Sequence, residues 1–115
     1  MKVSYDLDGT LFAYPTELLM FAFMLQKSGH EVGLLTGRAI WDLEKNILPM
    51  LAQNKFVPNF YIGRDFEPEE QDWDQNIKNQ IWKPKMIKEY NIDIHFDDQC
   101  EGLIPIIKGS KIIKI

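Results

Sequence analysis

The feature that most constrains this chain is a rhythm of short apolar runs, each ending on a polar or acidic turn, separated by stretches with helical spacing. Residues 2–5 run into Asp6, Leu7, Asp8, Gly9 and Thr10; residues 32–35 stop at Thr36, Gly37 and Arg38; residues 92–96 stop at Asp97 and Asp98. Residues 56–62, with Pro58 near their start, and residues 111–115 complete an expected set of about five strands. The run 32–35 lacks polar alternation, which suits a strand buried on both faces of a parallel sheet. Between the runs, Pro15 or Thr16 can open a helix that reaches Ser28, with Gly29 as its left-handed closing residue. Ile40, Leu43, Ile47 and Leu51 share one helical face, although Pro49 should kink or end that helix. Pro84 suits the first turn of a short helix through Tyr90 with Asn91 as its cap, and Pro105 allows only partial helix over 101–107. Strands alternating with helices in this way predict an α/β, Rossmann-like fold, a central parallel sheet with helices on both faces. Ligands of such sheets bind outside the carboxyl ends of the strands, where strand order reverses, and the polar clusters all follow strands.

A chain of 115 residues, 45% of them hydrophobic, suits one domain spanning 1–115. The net charge of −4 offers no basic face for a phosphate backbone, so nucleic acid is not an expected partner. Cys100 is the single cysteine, which rules out an internal disulfide and fits a reducing, cytoplasmic setting. Met1 and Lys2 lead straight into a strand, without the apolar stretch of a secretory signal, and export is not expected. The longest apolar run, 18–25, falls well short of the roughly 20 residues that cross a bilayer, so no membrane partner is expected. The helix carrying that run is apolar almost all round, which predicts cover from the sheet and from a neighbouring element or a second subunit of a homo-oligomer.

Asp6, Asp8, Asp97 and Asp98 meet at one sheet edge if the strands that carry them are neighbours. Uncompensated, such a cluster is strongly repulsive. The ordinary remedy is a hard divalent cation, and ligation by carboxylate oxygens, waters and a substrate phosphate is the habit of Mg2+. With that charge offset, a phosphoryl group can be bridged and one carboxylate can attack phosphorus.

Asp6-Leu7-Asp8-Gly9-Thr10 after an apolar strand resembles the first signature of the haloacid-dehalogenase-like superfamily, and three further signatures follow in that family's order across nearly the whole chain. The resemblance implies that Asp6 is the nucleophile and a metal ligand, and that Asp8 is the general acid/base, itself within the metal site. Thr36, in Leu34-Leu35-Thr36-Gly37-Arg38, matches the second signature, which with Gly37 binds the transferred phosphoryl group. Lys83 best matches the third signature, a lysine that neutralises the phosphoryl group and the nucleophile, with Lys85 as its rival. Asp97 and Asp98 match the fourth, an acidic pair completing the metal site. Family members with an aspartate at the position of Asp8 are typically phosphatases or phosphotransferases, whereas dehalogenases lack it. The resemblance therefore implies a Mg2+-dependent phosphomonoester hydrolase working through an aspartyl phosphate on Asp6. Neither of the family's usual cap insertions has room here, so an open, cap-less site is expected. Its substrate would be a phosphorylated small molecule or a phosphoprotein.

Read without the family, Asp6 and Asp8 also fit a turn that bonds its own backbone, Asp97 and Asp98 a helix cap, and Thr36 a plain cap. The acidic loop 65–74, interleaved with Trp73, reads as a solvated connection, His95 as a satisfied core side chain and Cys100 as an ordinary buried thiol. Arg38 reads equally as a substrate contact or a surface ion pair. Two other functions stand beside the hydrolase. One is a receiver-like, phosphorylation-dependent binding module, but receivers carry the phosphorylated aspartate at the third strand, which here ends in Gly63 and Arg64. The other is a catalytically silent relative that only binds phosphorylated partners, against which the complete acidic set speaks.

Overall fold

A computed structural model describes residues 1–65, 75–99 and 109–115 of the chain. Its strands are β1 (Lys2–Tyr5), β2 (Glu31–Ala39), β3 (Phe60–Arg64), β4 (Ile94–Asp97) and β5 (Lys111–Lys114). They make one five-stranded sheet in the order β3-β2-β1-β4-β5, every neighbouring pair parallel. Parallel neighbours need crossovers. Those described are α1 (Pro15–Lys27), the helical run from α2 (Ile40–Asp42) to α3 (Leu48–Gln53), and α4 (Gln75–Glu89). The chain steps outward from β1 through β2 to β3, then crosses back to set β4 on the other side of β1. Strand order reverses between β1 and β4, so the crevice beyond their carboxyl ends is the fold's natural ligand site. The α/β, Rossmann-like architecture is the one the strand rhythm predicts.

Side-chain alternation along the strands divides the apolar residues between two layers. Val3, Tyr5, Val32 and Leu34 pack with Leu18 and Ala22 of α1 and with Leu43, Ile47 and Leu51. Leu35 and Ile62 pack instead with Ile87 of α4 and with Ile92. Helices therefore cover both faces. α1 buries Leu18 and Ala22 but leaves Met20 and Met24 largely exposed, so the described residues cover it on its sheet side only. Among the described residues, no helix is long and apolar enough to cross a membrane.

Several boundaries differ from the expected ones, each for a local reason. Beyond the end of α3 lies Lys55, a left-handed residue with φ 62°, and the Phe56 amide returns to the Leu51 carbonyl at 2.9 Å. Phe56 is thus the buried hydrophobic residue that closes a helix, and β3 starts at Phe60 rather than at residue 56. Ile92 plays the same part after Asn91 (φ 55°), with its amide on the Ile87 carbonyl at 3.0 Å, so β4 begins at Ile94. The expected left-handed closures at Gly29 (φ 90°) and Asn91 are present.

Pro49 does not end its helix. A wider turn over Leu43–Ile47 precedes it, and Pro49 takes the second position of α3. Near a helix segment's start the missing N–H costs least. Pro84 likewise lies inside α4, which begins at Gln75 instead of at the proline. An interior proline costs about 3 kcal/mol, and here the packing of buried Lys83 and Ile87 against the sheet outweighs it. β2 does not stop at Thr36 but continues to Ala39, with its register against β3 shifting between Leu35 and Ala39. A bulge of this kind re-aims side chains without ending the strand. The connection 101–107, Cys100 and the acidic loop beyond Asp65 lie outside the described residues.

Candidate active site

Asp6 follows β1 directly, and its amide donates to the Phe96 carbonyl of β4 at 3.0 Å, so the ladder between the two strands runs up to this residue. The turn beyond it, Leu7–Leu11, contains Gly9 at φ 77°. The backbone angle favours glycine there, and a Cβ on Gly9 would displace the Asp98 carboxylate. Thr10, fully buried, donates its hydroxyl to Asp98 Oδ1 at 3.3 Å. Each of Asp6, Asp97 and Asp98 offers one carboxylate oxygen, and these three oxygens lie within 4.8 Å of one another. Two neighbouring parallel strands thus deliver carboxylates from distant parts of the chain to one point.

Lys83 reaches that point from α4. Its buried Nζ lies 2.8 Å from Asp97 Oδ2 and 3.2 Å from Asp6 Oδ1. Lys85, its rival in the sequence, is exposed. Asp97 is completely buried and accepts three bonds: from Lys83, from His95 Nε2 at 2.9 Å and from the Gln99 amide at 3.0 Å. Burial alone would push its carboxyl up, but the bonds from His95 and Lys83 hold it well below the ordinary carboxylate range. Burial likewise works against charge on Lys83, and the attraction of Asp6 and Asp97 overcomes it. Asp6 goes the other way. Desolvation pushes it up to about 7, opposed by Lys83 and reinforced by the negative Asp97 beside it.

His95 lies wholly inside the protein, and burial lowers its pKa, so the ring is neutral. An ionised Asp97 can only accept, which puts the ring proton on Nε2 and leaves Nδ1 to accept the Ser4 hydroxyl at 2.7 Å. His95 is a satisfied core side chain, as its position in a strand suggests, and it also anchors Asp97. Ser4 has no role in the sequence reading. The signal was available only through register, since Ser4 and His95 are paired in the β1–β4 ladder and side chains two apart share a face.

Thr36 and Gly37 stand on β2, beyond the Leu34–Tyr5 pair and at the same carboxyl edge as Asp6. Thr36 is buried, and its Oγ1 accepts the Arg38 amide at 3.3 Å. Asp8 is not in the acidic cluster. Its carboxylate is gripped by Arg38, with Nε on Oδ2 at 2.9 Å and Nη2 on Oδ1 at 2.8 Å, so the fold gathers three of the four expected carboxylates and leaves the Asp8 side chain outside the group. The ion pairs of Arg38 with Asp8 and Asp42 decide between the two readings of that residue in favour of pairing.

One ammonium against three close carboxylates leaves an excess of negative charge. A small all-oxygen donor set with excess negative charge suits a hard divalent cation. Comparison of the chain with protein-family models, with curated proteins and with solved structures gave no significant match.

Proposed function

We propose that this chain is a Mg2+-dependent phosphomonoester hydrolase that works through an aspartyl phosphate on Asp6, in the reducing setting its single cysteine suits. The observation that carries the reading is the convergence of Asp6, Asp97 and Asp98 with Lys83 where strand order reverses. Asp6, Asp97 and Asp98 would hold the cation. When bound, it offsets charge on the phosphoryl oxygens and raises their phosphorus to attack by a carboxylate.

The chain's own residues do the rest. A carboxylate oxygen of Asp6 attacks phosphorus as the bond to the ester oxygen breaks, and that oxygen leaves with the proton of Asp8. Water then gives its proton to Asp8 and attacks the same phosphorus. The bond to Asp6 breaks, which restores both carboxyl groups and releases inorganic phosphate. Lys83 offsets charge on Asp6 and the transferred group, while Thr36 and the Gly37 amide bind phosphoryl oxygens in this reading. Lys83 also holds Asp97 still, backed by the Ser4–His95 chain. The substrate is a phosphate monoester on a small molecule or a protein.

The Asp6→Asn variant should retain its fold and lose at least about a thousandfold in kcat on an aryl phosphate with Mg2+. Excess chelator should abolish wild-type turnover. Wild-type activity in Asp6→Asn would remove that residue from the nucleophile role, and turnover that survives chelation would remove the metal.

A further inference from the structure

Arg38 is committed in a way that separates it from an ordinary surface cation. All three guanidinium nitrogens donate: Nε and Nη2 to the two oxygens of Asp8, at 2.9 and 2.8 Å, and Nη1 to Asp42 Oδ2 at 2.9 Å. Asp42 is in turn held by the Asn46 side-chain amide at 2.7 Å. The guanidinium lies over the Phe12 ring, 5.4 Å from its centre. Its backbone amide is on Thr36 Oγ1, and it sits within the β2 bulge that re-aims this stretch. The Arg38 carbonyl is so close to Gly63 of β3 that a Cβ there would stand 2.9 Å away, so the neighbouring strand packs directly against the bulge. The Asp8 side chain is 61% exposed and that of Arg38 33%. A carboxylate so open to water would otherwise sample several rotamers. A planar two-bond fork fixes its direction as a lysine cannot.

We propose that Arg38 is the positioning residue for Asp8, holding its carboxyl where it meets the leaving oxygen; this rests on the phosphatase reading given above. With every nitrogen already donating, Arg38 acts through Asp8 and not as a phosphate clamp. The step it supports is the first one: the phosphorus–ester bond breaks, the Asp6–phosphorus bond forms, and the ester oxygen takes the proton of Asp8 in its acid form, whose ionisation in that step gives the carboxylate that the fork holds by both oxygens. Proton delivery matters most when that oxygen is a poor leaving group, so the defect caused by losing the fork depends on the leaving group.

The test is kcat/KM, which reports transfer to Asp6, for wild type, Arg38→Gln, Arg38→Lys, Asp8→Asn and the Asp8→Asn/Arg38→Gln double variant with Mg2+. The probes are p-nitrophenyl phosphate, which leaves readily, and glycerol phosphate, which does not. Arg38→Gln should lose about a hundredfold on glycerol phosphate, the scale of a misplaced catalytic group, and only severalfold on the nitrophenyl ester. KM should hold nearly constant. Arg38→Lys, which keeps the charge without the fork, should show the same leaving-group bias. In the Asp8→Asn background, Arg38→Gln should add no further loss. Equal losses on both esters, a loss confined to KM, or a full further loss in the double variant would each overturn the inference while leaving the phosphatase reading intact. A wild type inactive on both esters would overturn that reading and this inference together.

Discussion

Burial, more than any neighbour, opposes the charge on Asp6. Its carboxyl is pushed to about 7 because burial and Asp97 oppose its charge more than Lys83 relieves it. The sign follows from proton counting. Between the ordinary carboxylate value of 3.8 and about 7, the folded metal-free protein keeps a proton that the unfolded chain has released. Stability should therefore fall as pH rises through that window and level off above it, by an amount on the order of a few kcal/mol. Asp97 contributes in the opposite sense, adding stability above the ordinary carboxylate value that is lost only in acid. In chelator at pH 8, Asp6→Asn should melt above wild type, and between pH 5 and 7 its melting temperature should lack the wild-type decline; urea or thermal unfolding checks both. An unchanged slope in the variant would show that another group carries it. At this scale the sequence pointed to Asp6, Lys83, Asp97 and Asp98, which the fold does bring together. It gave no sign of the Ser4–His95 contact or of the Arg38 fork that draws the Asp8 carboxylate away from the other three, because register and one rotamer set those and neither is written in spacing.

Three helices end alike, on a left-handed residue followed by one whose amide reaches back five residues, at Gly29, Lys55 and Asn91. Glycine and asparagine announce that turn in a sequence, whereas lysine does not. Phe56 was accordingly read as the start of a strand, and Ile92 was absorbed into the next strand although it closes α4. Apolar residues after a helix look alike whether they cap it or begin a strand. Proline was over-read in the other direction at Pro84, since packing of the whole helix against the sheet outweighs one missing bond. Lys55 also offers the clearest element-scale test. A left-handed angle costs an L-residue with a side chain about 1–2 kcal/mol, part of which glycine returns as chain entropy. Lys55→Gly should raise stability by roughly 0.5–1 kcal/mol, seen in urea unfolding, with turnover unchanged. A destabilised variant would mean that the lysine side chain contributes more than its backbone angle costs.

For the whole molecule, the parallel sheet and its helices on both faces were legible in the alternation of runs, but the order of strands was not. The acidic runs at residues 6 and 97–98 carry no mark saying that β1 and β4 are neighbours. That adjacency comes from the chain's crossing after β3, and with it the separated carboxylates become one cluster. Binding of a cation there would tie the two halves of the sheet, so Mg2+ should raise the melting temperature of the entire domain. Because protons compete for Asp6, the rise should be larger at pH 8 than at pH 5, and Asp98→Asn should remove most of it. Equal shifts at both pH values, or a full shift in Asp98→Asn, would place the ion elsewhere.

The amide of Asp6 spans to the Phe96 carbonyl and so makes this aspartate the last rung between the two central strands. Its carboxylate is anchored through the ladder of the sheet itself, not slung on a hinge. Heat that only loosens peripheral loops should leave it on target, and the aim is lost when the middle of the sheet unzips.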